Sequence, residues 1–136
     1  MPNRHVTVTL GPADFPTAIE VRDHVVVSDE PQEKGGTDTG PEPMELLLAS
    51  LGACTVITLR MYARRKGWPL DGVRAEAAFD DQGQGTRLIR MSVACKGDLD
   101  DAQRDRLLQI ANACPVHKIL TGGVMVETTL TLTIDD

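Results

Sequence analysis

Three cysteines, Cys54, Cys95 and Cys114, and three histidines, His5, His24 and His117, are the residues of this sequence best suited to chemistry. Cys114 has the most pointed setting, in Cys114-Pro115-Val116-His117. Pro115 suits the first position of a helix, which makes Cys114 its N-cap. Free amide donors and the helix dipole favour a thiolate there, and His117, three residues on, adds positive charge when protonated. The thiolate is the nucleophilic form of cysteine, so this is how a sequence makes the residue reactive. Cys114 also completes the apolar series Leu107, Ile110 and Ala111, so a core role fits the residues equally well. Cys54 lies in Gly52-Ala53-Cys54-Thr55, inside an apolar run where free cysteine ordinarily packs as a small hydrophobe. Cys95 follows the apolar face of a strand, with no helix terminus or histidine beside it, and is assigned to the core.

Other chemistries find less support. Cys54, Cys114 and His117 would supply three zinc ligands, but there is no Cys-x-x-Cys pair. A fourth ligand would have to come from His5, His24 or a second chain. Gly35-Gly36-Thr37 stands too far ahead of a helix for a phosphate loop, and no Lys-Ser/Thr follows it. There is no Gly-x-Ser-x-Gly for a serine nucleophile.

These residues must be positioned by a small number of elements. Val6, Val8 and Leu10 alternate with Thr7 and Thr9, which predicts a half-buried strand ended by Gly11-Pro12. Two more short strands follow over Ala18 to Arg22 and His24 to Ser28. Asp29 to Pro43, rich in Gly, Pro, Asp and Glu, is expected to be a long surface loop, and loops of that length are often functional. A helix is expected from Met44 to about Lys66, with Glu42 and Glu45 at its positive pole and Arg64, Arg65 and Lys66 at its negative pole. Between Leu46 and Leu59 this helix is apolar on nearly every face. Such a helix lies inside something larger than a small domain provides, so an intimate homodimer with the helix near its middle is expected. Gly52 costs about 1 kcal/mol relative to Ala inside a helix and suggests close backbone approach.

Val73 to Asp80 and Thr86 to Lys96 read as a hairpin joined at Asp81-Gln82-Gly83-Gln84-Gly85, with Ile89, Met91, Val93 and Cys95 on one face. A second helix runs to Ala113 and Pro115 interrupts it. Val116 to Leu120 forms a further helical turn. Val124, Val126, Leu130, Leu132 and Ile134 share one face of an expected final strand. The order βββ-α-ββ-α-α-β is α+β, within a single domain over residues 1–136.

Composition narrows the classes of function. The chain has 136 residues, 41% hydrophobic and 25% charged, an ordinary globular balance that argues against disorder. A net charge of -6 opposes a phosphate-backbone partner, and 3% aromatic residues leave few platforms for stacked bases. Three cysteines are too few and too uneven for a disulfide scaffold, which points to a reducing compartment. The N-terminus carries no apolar targeting pattern, and Leu46 to Leu59 is shorter than the roughly 20 residues of a membrane span. A soluble, cytoplasmic protein is expected, with no nucleic-acid or membrane partner.

Two segments taken together resemble a known family. They are Gly40-Pro41-Glu42-Pro43-Met44-Glu45-Leu46-Leu47-Leu48-Ala49-Ser50-Leu51-Gly52-Ala53-Cys54-Thr55 and, later, Cys114-Pro115-Val116-His117-Lys118-Ile119-Leu120. They are similar to the OsmC/Ohr family (osmotically inducible protein C and organic hydroperoxide resistance proteins), specifically an OsmC-like subgroup. The resemblance implies an intertwined α+β homodimer, with antiparallel sheets around a long buried central helix. It also implies a cysteine-based thiol peroxidase acting in oxidative-stress defence. In peroxidatic members the cysteine matching Cys54 attacks an organic hydroperoxide, releasing alcohol and leaving a sulfenic acid. The cysteine matching Cys114 resolves it as a disulfide, which a dithiol of the lipoyl type reduces. No metal or organic cofactor is implied. Peroxidatic members carry a glutamate directly after the helix-starting proline, where this chain has Met44 followed by Glu45. They also use an arginine from an earlier loop; here that loop holds Lys34, and Arg22 is the nearest earlier arginine. The alternative is a redox or small-molecule-binding member of the same fold without peroxidase activity.

Overall fold

A computed structural model describes residues 4–81 and 87–131. The chain divides into two compact units, one ending at Ser50 and the other beginning at Leu51.

The first unit holds a three-stranded antiparallel sheet in the order β1-β2-β3, with β1 at Thr7–Leu10, β2 at Thr17–Val21 and β3 at His24–Ser28. Val21 pairs with His24 across a tight turn in which Arg22 has φ 52°, so Arg22 sits at the tip of a hairpin. The segment after β3 is not a plain surface loop. It carries a 3-10 turn at Gln32–Lys34 and folds back on Asp29, which is almost fully buried. The first strand also departs from expectation. Val6, Val8 and Leu10 are 55%, 55% and 52% exposed, so β1 pairs with β2 but buries neither face in this chain.

Helix α1 runs Pro43–Lys66 and crosses the boundary between the units. Pro43 supplies a preset φ at the first helical position. Glu45 closes the turn by accepting a hydrogen bond from the Glu42 amide through Oε1 at 2.9 Å, satisfying a donor that the helix itself cannot. The helix ends where the Trp68 amide reaches the Ala63 carbonyl at 2.9 Å across Gly67, whose φ of 70° favours glycine.

In the second unit, β4 (Gly72–Asp81) and β5 (Arg87–Lys96) form an antiparallel pair. The turn between them, residues 82–86, lies outside the described residues. Alternation holds along β5: Ile89, Met91, Val93 and Cys95 turn inward, while Arg90, Ser92 and Lys96 are exposed. Helix α2 (Asp101–Ala111) starts with a full capping box. Asp100 accepts from the Gln103 amide at 2.7 Å and its own amide donates to Gln103 Oε1 at 2.9 Å. Helix α3 (Pro115–Gly122) follows almost at once. The core of this unit is a cluster of Leu59 and Ala63 from α1, Leu70, Leu99, and Leu107 and Ala111 from α2. Tyr62, Trp68, Val73, Val93, Cys95 and Ile110 pack around it. The aliphatic character follows from how few aromatic residues the chain holds.

Two further expectations, for Gly52 and for the final strand, are corrected. Helix α1, expected to be covered within a homodimer, is only partly covered by the single chain. It buries one stripe spaced four residues apart, Leu51, Thr55, Leu59 and Ala63, while Ile57 and Met61 stay 53% and 62% exposed. Gly52 has no close backbone neighbour here, since a Cβ there would meet only the Ala75 side chain at 4.0 Å. The final strand is absent from residues 124–131, where Val124, Met125, Val126 and Leu130 are 70–95% exposed. A strand exists only through a ladder partner, and no described strand pairs with this segment. Leu132 and Ile134 lie outside the described residues. The helix is also longer than its uncharged run. At 24 residues it meets the length and composition of a membrane span, a test that the core helix of a soluble protein passes as well.

Candidate active site around Cys114

The geometry at Cys114 begins with the end of α2. Asn112 caps that helix and the Ala113 amide returns to the Ile110 carbonyl at 3.0 Å. Pro115 then bars Cys114 from helical conformation, because the ring clashes with a helical residue before it. Cys114 is accordingly extended, at φ -69° and ψ 152°, with Pro115 opening α3. Its carbonyl accepts the first bond of the new helix, from the Lys118 amide at 3.0 Å. Its Sγ accepts from the His117 amide at 3.4 Å. The N-cap role expected for Cys114 is therefore the one it has. The contribution of His117 to the sulfur comes from its backbone N–H.

Cys114 is wholly buried, and a second group meets its sulfur: Thr55 Oγ1, 3.6 Å away. Thr55 is likewise wholly buried, donates to the Leu51 carbonyl at 2.9 Å, and lies 3.6 Å from Met91 Sδ on β5. Residues from α1 and α3 thus meet at one sulfur, and β5 reaches the Thr55 hydroxyl through Met91. Cys54, the neighbour of Thr55 and about 100° around the helix from it, is half-buried. The polar partners of the Cys114 sulfur are Thr55 and His117, not Cys54, and all three cysteines are free thiols. Cys95 lies at the edge of the core, where burial pushes its thiol pKa up against a smaller opposing pull from Arg104. That suits an inert core cysteine.

A cavity of about 410 Å³ opens beside this cluster, lined by Leu51, Met91, Ile89 and Leu120 together with the polar Asn112 and His117. Its size is that of a small-molecule pocket, and it shares Leu51, Met91 and His117 with the surroundings of Thr55 and Cys114. Among the described residues no three His, Cys, Asp or Glu side chains are placed to hold a metal ion.

In the first unit, Lys34 and Glu45 have local partners. Lys34 Nζ pairs with Glu42 Oε2 at 3.2 Å, and Glu45 holds the Glu42 amide. The residue that organises this loop is Asp29. One carboxylate oxygen accepts from the Glu30 amide at 2.7 Å. The other accepts from the amides of Thr37 and Thr39 at 3.2 and 3.1 Å and from both hydroxyls at 2.7 Å. Burial raises the Asp29 pKa, but the Thr37 and Thr39 hydroxyls and the Thr39 and Glu30 amides outweigh it and hold the carboxyl well below the usual carboxylate range. Gly36 is required here, since a Cβ would sit 1.9 Å from the Glu30 carbonyl oxygen.

Sequence reasoning passed over Thr55 and Asp29. Thr55 had a signal, as the one polar member of the Leu51, Leu59, Ala63 stripe. Asp29 had a weaker one in Thr37 and Thr39, two residues apart beyond a Gly-Gly turn.

A family model described as OsmC-like protein matches residues 36–129. Among solved structures, an OsmC like protein from Mycoplasma pneumoniae aligns with a TM-score of 0.73 at 17% identity, over 89% of this chain and 89% of that one. An organic hydroperoxide resistance protein OsmC from Legionella pneumophila gives 0.65 at 18% identity, over 90% and 91%. The organic hydroperoxide resistance protein of Bacillus subtilis gives 0.59 at 23% identity, over 88% and 91%. At these identities the likeness is one of fold: mixed helix and strand, with two antiparallel sheets and a long helix. A search of curated proteins finds no match.

Proposed function

Since the chain belongs to the OsmC-like protein family, we propose that it is a cysteine-based thiol peroxidase that reduces organic hydroperoxides. In this reading the Cys54 thiolate attacks the outer oxygen of the hydroperoxide. The O–O bond breaks, the alcohol leaves with a proton, and Cys54 becomes a sulfenic acid. Cys114 then forms a disulfide with Cys54, and water is released. A dithiol of the lipoyl type reduces that disulfide by thiol exchange through a mixed disulfide.

The observation that carries the reading is the setting of Cys114. A buried sulfur stands at a helix N-cap, holds the His117 amide, and touches the residue next to Cys54. Donors at a helix N-terminus stabilise a thiolate, the form needed for resolution. The cavity beside it, mainly aliphatic, suits an organic rather than a hydrogen peroxide.

A homodimer belongs to the same proposal. Ile57 and Met61 on α1 and Val124 to Leu130 leave apolar surface that a second copy would cover. We also place the protein in the cytoplasm as one domain, where thiols stay reduced.

The test is consumption of cumene hydroperoxide by reduced protein with dihydrolipoamide as donor, and Cys54→Ser as control. Turnover lost in Cys54→Ser supports the peroxidase. Equal rates in both folded, reduced proteins remove it and leave the reading of a small-molecule binder, which the cavity alone supports.

A further inference from the structure

We infer that Thr55 is a positioning residue for Cys114, its hydroxyl alternating between two hydrogen-bond arrangements as the Cys114 sulfur changes state. The resolving step to which this applies rests on the peroxidase reading above; the hydrogen bond itself does not.

The argument starts from proton counting. Thr55 has one hydroxyl proton, and of its two possible acceptors, the Leu51 carbonyl at 2.9 Å and Met91 Sδ at 3.6 Å, the shorter bond to the stronger oxygen acceptor takes it. Toward Cys114 the hydroxyl then presents a lone pair. The 3.6 Å contact is therefore made by the Cys114 S–H donating to Thr55 Oγ1. The sulfur accepts from the His117 amide at the same time. The reduced thiol is thus held from both sides, and the chain of bonds runs from sulfur to hydroxyl to the Leu51 carbonyl.

Loss of the thiol proton reverses the first link. A thiolate cannot donate, so the Thr55 hydroxyl rotates and gives its proton to the sulfur. Leu51 still has its carbonyl within a helix, where the regular i to i+4 amide bond serves it. The sulfur then has two donors, Thr55 O–H and His117 N–H, in a site with no solvent exposure. Hydrogen bonds to a charged group in such a place are stronger than those between neutral groups. In resolution the Cys54–Cys114 S–S bond forms and the S–O bond of the Cys54 sulfenic acid breaks. The proton from Cys114 leaves with the hydroxide as water. Thr55 is neither oxidised nor reduced. It orients the sulfur before the proton goes and stabilises it afterwards.

Shape and hydroxyl are separable at this position. Thr55→Val keeps the branched shape and removes the hydroxyl, whereas Thr55→Ser keeps the hydroxyl and removes a methyl. Resolution is followed in the full chain after one equivalent of cumene hydroperoxide. The readouts are the Cys54–Cys114 disulfide by mass spectrometry and the sulfenic acid trapped with dimedone. We expect Thr55→Val to slow disulfide formation about tenfold, the scale of one hydrogen bond to a charged group, and Thr55→Ser to stay within about threefold of the unmodified chain. A Thr55→Val rate equal to the unmodified chain overturns the assignment, as does Thr55→Ser being as slow as Thr55→Val, which would show that any change of shape at this site slows the step and that the hydroxyl does not carry it.

A second measurement works without peroxide. With Cys54→Ser and Cys95→Ser, Cys114 is the one remaining thiol, and its S–H stretching band reports its acceptor. The band should move in Thr55→Val and return in Thr55→Ser. An unmoved band refutes the hydrogen bond. If the unmodified chain forms no disulfide with hydroperoxide, the peroxidase reading fails, and the band alone decides the role of Thr55.

Discussion

Leu59→Ala tests the frame that places Thr55 against Cys114. Leu59 has no solvent exposure and lies one helical turn beyond Thr55 on the buried stripe of α1. It belongs to the cluster with Leu70, Leu99, Leu107 and Ala111, so it ties α1 to the helix that leads into Cys114. Alanine removes three carbons from a wholly enclosed site. Transfer of the lost groups and the remaining cavity together cost about 3 kcal/mol, within the ~2–5 kcal/mol range for such truncations. For a domain of this size that lowers the unfolding midpoint by roughly 10 °C. Ile57→Ala is the contrast, because Ile57 is on the same helix but 53% exposed in the single chain. Urea unfolding followed by circular dichroism, at two protein concentrations, gives both values and separates chain stability from association. A Leu59→Ala loss below about 1 kcal/mol, far under the cavity range, would refute the core as described. The same variant should also slow Cys54–Cys114 disulfide formation, because a loosened α1 no longer holds Thr55 on the sulfur.

Further outcomes follow from other sites. Asp29→Asn should lower the unfolding midpoint near neutral pH, and its deficit should shrink on acidification. The Asp29 pKa is depressed in the folded chain, so its stabilisation is complete above the unfolded value of about 3.9 and is lost as pH falls below that toward the lower folded value. A deficit constant from about pH 6 to about pH 2 would contradict this, as thermal scans across that range will show. Cys114→Ser should leave the Cys54 sulfenic acid unresolved, seen as persistent dimedone labelling with no intramolecular disulfide. If labelling decays as fast as in the unmodified chain, Cys114 is not the resolving residue. Ile57→Asp places a charge on the exposed apolar face of α1 and should convert a dimer to monomer by light scattering. An unchanged mass at the same concentration would remove α1 from the proposed interface.

Much of the framework was legible because it depends on local chemistry. Pro43 and the charges at either pole of α1 mark the helix within a residue of its observed ends. Period-two alternation from Ile89 to Cys95 reveals the inward face of β5, and Pro115 alone forces Cys114 into the N-cap conformation. Each of these signals lies within a few residues of what it determines. The expected final strand does not form over residues 124–131, which marks the limit of the same method. Apolar alternation over residues 124–134 measures the capacity to pair, whereas a strand needs a partner that local pattern does not name.

The sequence by itself determined the α+β order of elements as far as α3, the helix termini and the two cysteine motifs, since propensity, capping and proline geometry act over one or two turns. Only the tertiary structure decided which groups meet. It put Thr55 rather than Cys54 on the Cys114 sulfur, because a 100° step around α1 separates neighbours that are adjacent in the chain. It made Asp29 a buried acceptor of five hydrogen bonds, because the loop folds Thr37 and Thr39 back across a gap of eight to ten residues. Periodicity says which face of an element turns inward. What it meets there depends on how separate elements pack, and that is set by the shape of the whole core.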